Sequence, residues 1–277
     1  MKTYEVAGHE PSLLPDGEFK LVWSDEFDGT TLDTSKWSFR RHLFHKENPG
    51  YIGEEGIELD GKGCIHFKQV ERDGKLCSTQ LQTGENWYDR PCNNANWSVA
   101  KMEPPKFEHK YGYYEVRCKL QDGDNWWSAF WLQSPNIGTH IDPGKAGVEV
   151  DIMESFLGHT YIPHYIHWGG YGENYCYETT LDEHKFAGPT DITRLEDTFH
   201  RFGCLWEEDG YTFYVDGVQS GRKLTGAVSH TEQFVLLSTE CLGYRTYIPG
   251  VHKDAKVIRA TENDEFIVDY VRVFDKI

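Results

Sequence analysis

The chain has 277 residues, 26% of them charged and 38% hydrophobic, a globular composition long enough for one large domain with a sizeable core. Its formal net charge of −17 argues against nucleic acid or an anionic membrane as the main partner, because no basic patch offsets the long-range repulsion. A neutral ligand is indifferent to that charge, and the 14% aromatic share (9 Trp, 16 Tyr, 15 Phe) asks what so many rings contact.

Residues 1–20 contain no uninterrupted apolar stretch of the secretory-signal type. No later run approaches the ~20 apolar residues of a membrane helix. The expectation is a soluble chain whose compartment stays open: secreted if a signal was trimmed, otherwise cytoplasmic. The first 18 residues read as an N-terminal extension to a single domain that fills residues 1–277. Seven cysteines, at 64, 77, 92, 118, 176, 204 and 241, form no CxxC pair, and buried thiols are expected.

Further along, "CIHFKQVERDGKLCSTQLQT" reads as strand, Asp-Gly turn, strand. "YGYYEVRCKL" sets Tyr113, Glu115 and Arg117 against Tyr114, Val116 and Cys118, the period of a half-buried strand, and "AFWLQ" follows as a short aromatic run. "RLEDTFHRF" (194–202) is briefly helical. "FGCLWEEDGYTFYVDGVQ" is a second hairpin, and "EFIVDYVRVF" a last β-branched strand. The chain therefore reads as an antiparallel sandwich or barrel. Irregular segments near 40–56, 84–106, 134–146 and 171–192 are too long for simple turns, and the expectation for them is functional rims or disorder.

In the middle lies "GVEVDIMESF", with Glu149, Asp151 and Glu154 on a stretch otherwise written in strand formers. Side chains two apart share a face, so Glu149 and Asp151 point together, while Glu154 would point away. A β-bulge between Asp151 and Glu154 absorbs one residue and restores it to the first face. A solvated strand face would explain an isolated match of this kind, but bulky Val150, Ile152 and Met153 and the Trp-rich neighbouring strands argue for a built site. A retaining glycosidase needs two carboxyls ~5–5.5 Å apart, one as nucleophile and one as proton donor. Asp151 between them could hold the nucleophile and tune both carboxyls.

Taken together, "LVWSDEFDGTTLDTSKW", "KYGYYEVRCKL", "WWSAFWLQ", "EVDIMES", "FHRFGCLWEEDGYTFYVDG" and "IVDYVRVF" resemble glycoside hydrolase family 16 in family order over nearly the whole chain. The resemblance implies a concanavalin-like β-jelly roll of two curved antiparallel sheets with a concave cleft. It implies an endo-acting retaining β-glycanase in which Glu149 is the nucleophile, Asp151 assists and Glu154 is the acid/base. The bulged E-x-D-x-x-E spacing is similar to that of the laminarinase and agarase branch.

Trp127 and Trp131 are four apart and face one side of their strand, with Trp126 and Phe130 on the other. The resemblance marks Trp127 and Trp131 as cleft residues, and Trp206 as a further aromatic lining the groove. It places His167 beside the acids, hydrogen-bonded to substrate or carboxylate. A zinc reading of His159, His164 and His167 fails on spacing, since His164 and His167 fall on opposite strand faces. Glu240 and Glu115 lie on expected strands, and one of them should face the cleft as a hydroxyl acceptor. No cofactor is required for catalysis, but many members of the resembled family hold a structural calcium through a carbonyl near the DEF segment and an Asp of the last strand, here Glu26 and Asp269. Trp-Ser-Ala-Phe-Trp resembles the Trp-Pro-Ala-Phe-Trp of β-1,3-glucanases, with Ser128 as the departure, and favours β-1,3- or mixed-linkage glucan. A β-galactan or sulfated algal galactan is the second substrate class, with Arg40, Arg41 and Lys46 as candidate sulfate contacts. The same residues also suit a non-catalytic glycan-binding module or a transglycosylase. The partner is a polysaccharide, and the protein is expected to act as a monomer.

Overall fold

The structure, a computed structural model, describes residues 2–43, 46–47, 51–72, 75–89, 102–121, 126–155, 162–180, 198–241 and 264–277. Two large, mainly antiparallel sheets dominate the described residues. The first runs in the order 70–72, 75–82, 234–241, 126–133, 149–155, 165–168 and 176–179, with short strands 38–39 and 51–52 also pairing to 75–82. The second runs 218–219, 210–215, 200–207, 112–119, 265–276, 65–68 and 57–59, with 19–25 paired to 265–276. These two are called the nine-stranded and the eight-stranded sheet.

Both sheets follow from period-two patterning. Phe130 and Leu132, Val150, Ile152 and Met153, Ile166, and Val235 and Leu237 leave the nine-stranded sheet on one side. They meet Tyr114, Val116, Phe202, Cys204, Val271 and Val273 of the eight-stranded sheet in one apolar core. That shared core makes the pair a single packed sandwich. The thiols of Cys118 and Cys204 are buried within it. Cys92 lies outside the described residues.

Both Asp-Gly hairpins form: Val70–Arg72 pairs with Lys75–Gln82, and His200–Glu207 with Gly210–Val215. The helical expectation for 194–202 is corrected where the structure describes it, because His200–Glu207 is a strand paired on both sides. A nine-residue helical propensity is weak against two strand ladders.

The N-terminal segment is docked. Lys2–Tyr4 pairs with Ser12–Leu14 as a hairpin over the outer face of the eight-stranded sheet. Leu14 packs with Tyr113, Leu205 and Phe274, and the Tyr4 ring meets Phe274 edge-on at 5.1 Å. Beneath the hairpin, Arg272 is fully buried. It donates to the Glu10 carbonyl at 2.8 Å and to Ser12 Oγ at 3.0 Å. The outer face of the nine-stranded sheet carries no such cover among the described residues and is called the open face below.

Candidate active site

The acid strand Glu149–Ser155 lies between Trp126–Gln133 and Tyr165–Trp168. Opposite it, Phe130 pairs with Met153 and Trp131 with Asp151, so Ile152 is the extra residue of a bulge. Ile152 and Met153 consequently both enter the core, and Glu149, Asp151 and Glu154 share the open face. Across the register Glu149 faces Gln133, Asp151 faces Trp131, and Glu154 faces the small Ala129, which leaves room above it.

Burial separates the acids from bulk water, with Asp151 4% and Glu154 8% exposed. The environments of the two glutamates then diverge. Glu149 Oε2 accepts from Gln133 Nε2 at 2.9 Å and from the Tyr171 hydroxyl. Glu154 Oε1 accepts from Trp127 Nε1 at 3.0 Å. Burial, followed by the charge of Asp151, pushes the Glu149 carboxyl up to about 7, while His167, Tyr171 and Arg40 work in the opposite direction. Glu154 is pushed well above the ordinary carboxylate range, by burial first and then by the charges of Asp151 and Glu149. Glu154 therefore keeps its proton where Glu149 has lost it, which is the division of labour between a proton donor and a nucleophile.

His167 pairs across the register with Glu149, and its Nε2 lies 3.0 Å from Asp151 Oδ2. Burial opposes its charge, but the hydrogen bond to Asp151 and the charges of Asp151 and Glu149 outweigh it and raise its pKa. Its ring is sandwiched between Tyr165 and Tyr175, with centroids at 5.5 and 5.7 Å. Nδ1 shares a 2.7 Å hydrogen bond with the Tyr175 hydroxyl. Donor atoms of Glu149, Asp151 and His167 lie within 4.8 Å of one another. The His167–Asp151 ion pair and the register pairing of Glu149 with His167 bring them together.

Trp131 belongs to an apolar patch on the open face with Ala129, Phe234 and Leu236. Its Nε1 donates to Ser238 Oγ at 3.0 Å, and Arg40 stacks over its ring at 5.1 Å. Glu240 pairs across from Trp127 and accepts from Gln80 at 3.2 Å, so it is the glutamate that faces the cleft. Glu115, the other candidate, lies on the other sheet, fully buried under the N-terminal hairpin, accepting from Tyr270 at 2.8 Å and from Leu13 N–H at 3.1 Å.

Trp206 is also corrected. It is fully buried in the core between the sheets, and its Nε1 donates to the Ser229 carbonyl at 3.2 Å. His164 is a core residue as well, held by the Ile152 carbonyl and Ser220, stacked on Phe213 and pushed down to about 4 by burial. Of the three basic side chains proposed as sulfate contacts, Arg40 is buried against Asp89, with Nε 2.9 Å from Oδ2, and Arg41 lies over the Phe39 ring. The Lys46 side chain and His159 lie outside the described residues.

Of the two expected calcium positions, the Asp269 side chain is already paired with a cation. Asp269 Oδ2 is 2.5 Å from Arg117 Nη1, and the Glu26 carboxylate takes Arg272 Nε and Nη2 at 3.0 and 2.7 Å. A divalent cation at Asp269 would meet the Arg117 guanidinium, whereas the Arg272 pairing involves the Glu26 carboxylate and not its backbone carbonyl. Glu26 and Asp269 are thus members of ion pairs that tie the eight-stranded sheet together.

Sequence reasoning missed Gln133, Tyr171 and Tyr175. Gln133 was findable by strand parity, since it shares a face with Trp127 and Trp131. The tyrosines lie in "GGYGENY" (169–175), where the glycines mark a special backbone but not its path.

Comparison with known proteins agrees with this geometry. The family model described as "Beta-porphyranase A-D, GH16 domain" matches residues 20–276. The chain belongs to glycoside hydrolase family 16. Within curated relatives of the family it is similar to a glucan endo-1,3-beta-glucosidase A1 from Niallia circulans, 31% identical over 92% of this chain and 37% of that protein. It is similar also to a beta-1,3-glucan-binding protein from Penaeus monodon, 33% identical over 75% of this chain and 62% of that one. The chain thus spans between about a third and just under two thirds of these relatives' length. In structure it is similar to the laminarinase catalytic domain from Thermotoga maritima, with a TM-score of 0.65 and 26% identity over 94% of this chain and 99% of that one. The sandwich is the family 16 jelly roll.

Proposed function

We propose that this family 16 chain is an endo-acting retaining β-glycanase. The observation that carries the reading is the bulge at Ile152, which turns all three acids of Glu149–Ser155 onto the open face. In the first step Glu149 attacks the anomeric carbon while the Glu154 proton passes to the departing glycosidic oxygen, and a glycosyl ester on Glu149 results. In the second step Glu154 takes a proton from water, the water oxygen attacks the same carbon, and the ester bond breaks. Asp151, braced by His167, holds the pair and discourages both glutamates from ionising together.

A neutral β-1,3- or mixed-linkage glucan suits the open face best. Its described acids outnumber its cations, and Arg40 is neutralised by Asp89. Partly exposed Trp127, beside Glu154, offers a ring for a sugar C–H face. The glucanase and laminarinase names among the relatives support the same choice.

A β-galactan of the porphyran type is the second reading, favoured by the description of the matching family model. In sequence, residues 242–264 carry Arg245, Lys253, Lys256 and Arg259 against Asp254, Glu262 and Asp264, a small basic excess in an acidic chain. The binding-module reading finds a counterpart in the glucan-binding relative. A pure binder, however, gains nothing from three acids kept out of water together.

Incubation with laminarin, barley β-glucan, porphyran, agarose and carrageenan, followed by product analysis beside Glu149→Gln, tests the reading. Oligosaccharides from one polymer, absent with the variant, are the expected result. Cleavage that survives in Glu149→Gln would overturn the nucleophile assignment.

A further inference from the structure

The segment 169–175 reaches back over the acid strand with two hydroxyls. Gly169 and Gly170 adopt φ of +78° and +71°, and a Cβ on Gly169 would lie 2.0 Å from the Asn174 carbonyl oxygen, so this path belongs to glycine. From it Tyr171, 40% exposed as a residue, sends its hydroxyl to Glu149 Oε2. Gln133, 1% exposed, donates Nε2 to the same oxygen at 2.9 Å. The Gln133 amide is itself oriented, because its Oε1 accepts from Asn86, which in turn donates to Asp89 Oδ2 at 3.0 Å. Both donors end on one oxygen of the nucleophile, and they arrive from different elements, a sheet strand and an exposed loop.

We propose that Tyr171 is a positioning residue for the nucleophile: with Gln133 it pins Glu149 Oε2, fixes the carboxylate plane and leaves Oε1 to attack the anomeric carbon. The inference rests on the glycanase reading above. A hydrogen bond donated to the carboxylate favours its charged form, so the Tyr171 hydroxyl also keeps the nucleophile ionised at lower pH than its surroundings would allow. Those surroundings are mixed. Burial and then Asp151 raise the pKa of Glu149, His167 on the next strand and Arg40 lower it, Asp89 offsets Arg40, and Glu154 lies further along the same strand. Gln133 already donates to this oxygen and cannot replace the second donor, so removal of the Tyr171 hydroxyl should be felt.

The test is Tyr171→Phe in the full chain labelled with ¹³C-glutamate, with the Glu149 carboxyl titrated by NMR without substrate and assigned by its disappearance in Glu149→Gln. The ring and its contacts stay, and an unchanged thermal unfolding midpoint verifies the fold. The expected result is a Glu149 midpoint higher by about one pH unit. On the polymer that the wild type cleaves, the acid limb of kcat/KM should rise by the same amount, with kcat roughly tenfold lower and KM within twofold. An unchanged or lowered Glu149 midpoint would overturn the proposal. The titration needs no substrate, so failure of the wild type on every polymer would sink the glycanase reading and leave this test standing.

Discussion

Glu26, Glu115 and Asp269 on the covered face and Glu149, Asp151 and Glu154 on the open face are six acids held largely away from bulk water, and they are partnered in opposite ways. Under the N-terminal hairpin Glu26 meets Arg272, Asp269 meets Arg117, and Glu115 accepts from Tyr270 and a backbone N–H. On the open face the acids have mostly one another, with His167 beside Asp151 and neutral donors on the two glutamates. The same residue types therefore staple one face and load the other. An acid given a guanidinium becomes structural, and an acid left beside another acid keeps a proton that chemistry can use.

Breaking the loaded face should cost the most activity and no stability. Glu149→Gln and Glu154→Gln are each expected to lower kcat by roughly 10⁴-fold, read by reducing-sugar release. The sign of the stability effect follows from the proton. The Glu149 carboxyl is pushed up to about 7, above its unfolded value of ~4.3. Between those pH values the unfolded chain releases a proton that the folded one keeps. The Glu149 contribution to stability should thus fall as pH rises through that window and level off above it. Urea unfolding at pH 5 and pH 8 should show that slope reduced in Glu149→Gln.

Breaking the stapled face should do the reverse. Arg272→Met strands Glu26 beneath the hairpin and is expected to cost about 3–5 kcal/mol in urea unfolding, with kcat per folded molecule unchanged. Since Arg117 already pairs with the Asp269 carboxylate, EDTA should leave the unfolding midpoint where it was.

Two tryptophans sharpen the contrast. Trp131→Ala removes a ring from the open face and should lower kcat/KM by roughly 10–100-fold, an expected loss of about 1.4–2.7 kcal/mol of transition-state binding. Trp206→Phe shrinks a core side chain and should cost about 1–2 kcal/mol in stability, with kcat/KM within twofold of wild type.

The difference between those tryptophans also marks how far the sequence could be read. Parity and one bulge were enough to put Glu149, Asp151 and Glu154 on a common face, because Val150, Ile152 and Met153 had to go the other way. Alternation put Trp127 and Trp131 on one face, the family resemblance chose that face as the cleft, and Glu240 stood as one of two candidates. Trp206 could not be placed by alternation, since its strand is covered on both sides: Leu205 packs under the hairpin cluster and Trp206 in the core, so apolar residues occur on both faces and parity cannot choose. Glu115 was open for the same reason. The local pattern that suggested calcium is present, but its meaning is set by Arg117 from a neighbouring strand, a long-range pairing that no local window contains. Tyr171 reaches Glu149 across a turn whose course depends on glycine conformations, and spacing says nothing about where such a loop returns.

The most direct measurement of the central claim is the ¹H NMR spectrum of the anomeric protons released in the first minutes of cleavage of whichever polymer the enzyme accepts. The bulged acid pair predicts that the β anomer appears first and the α anomer only later, through mutarotation. Initial release of the α anomer would mean single-step inversion, and would contradict Glu149 as a covalent nucleophile.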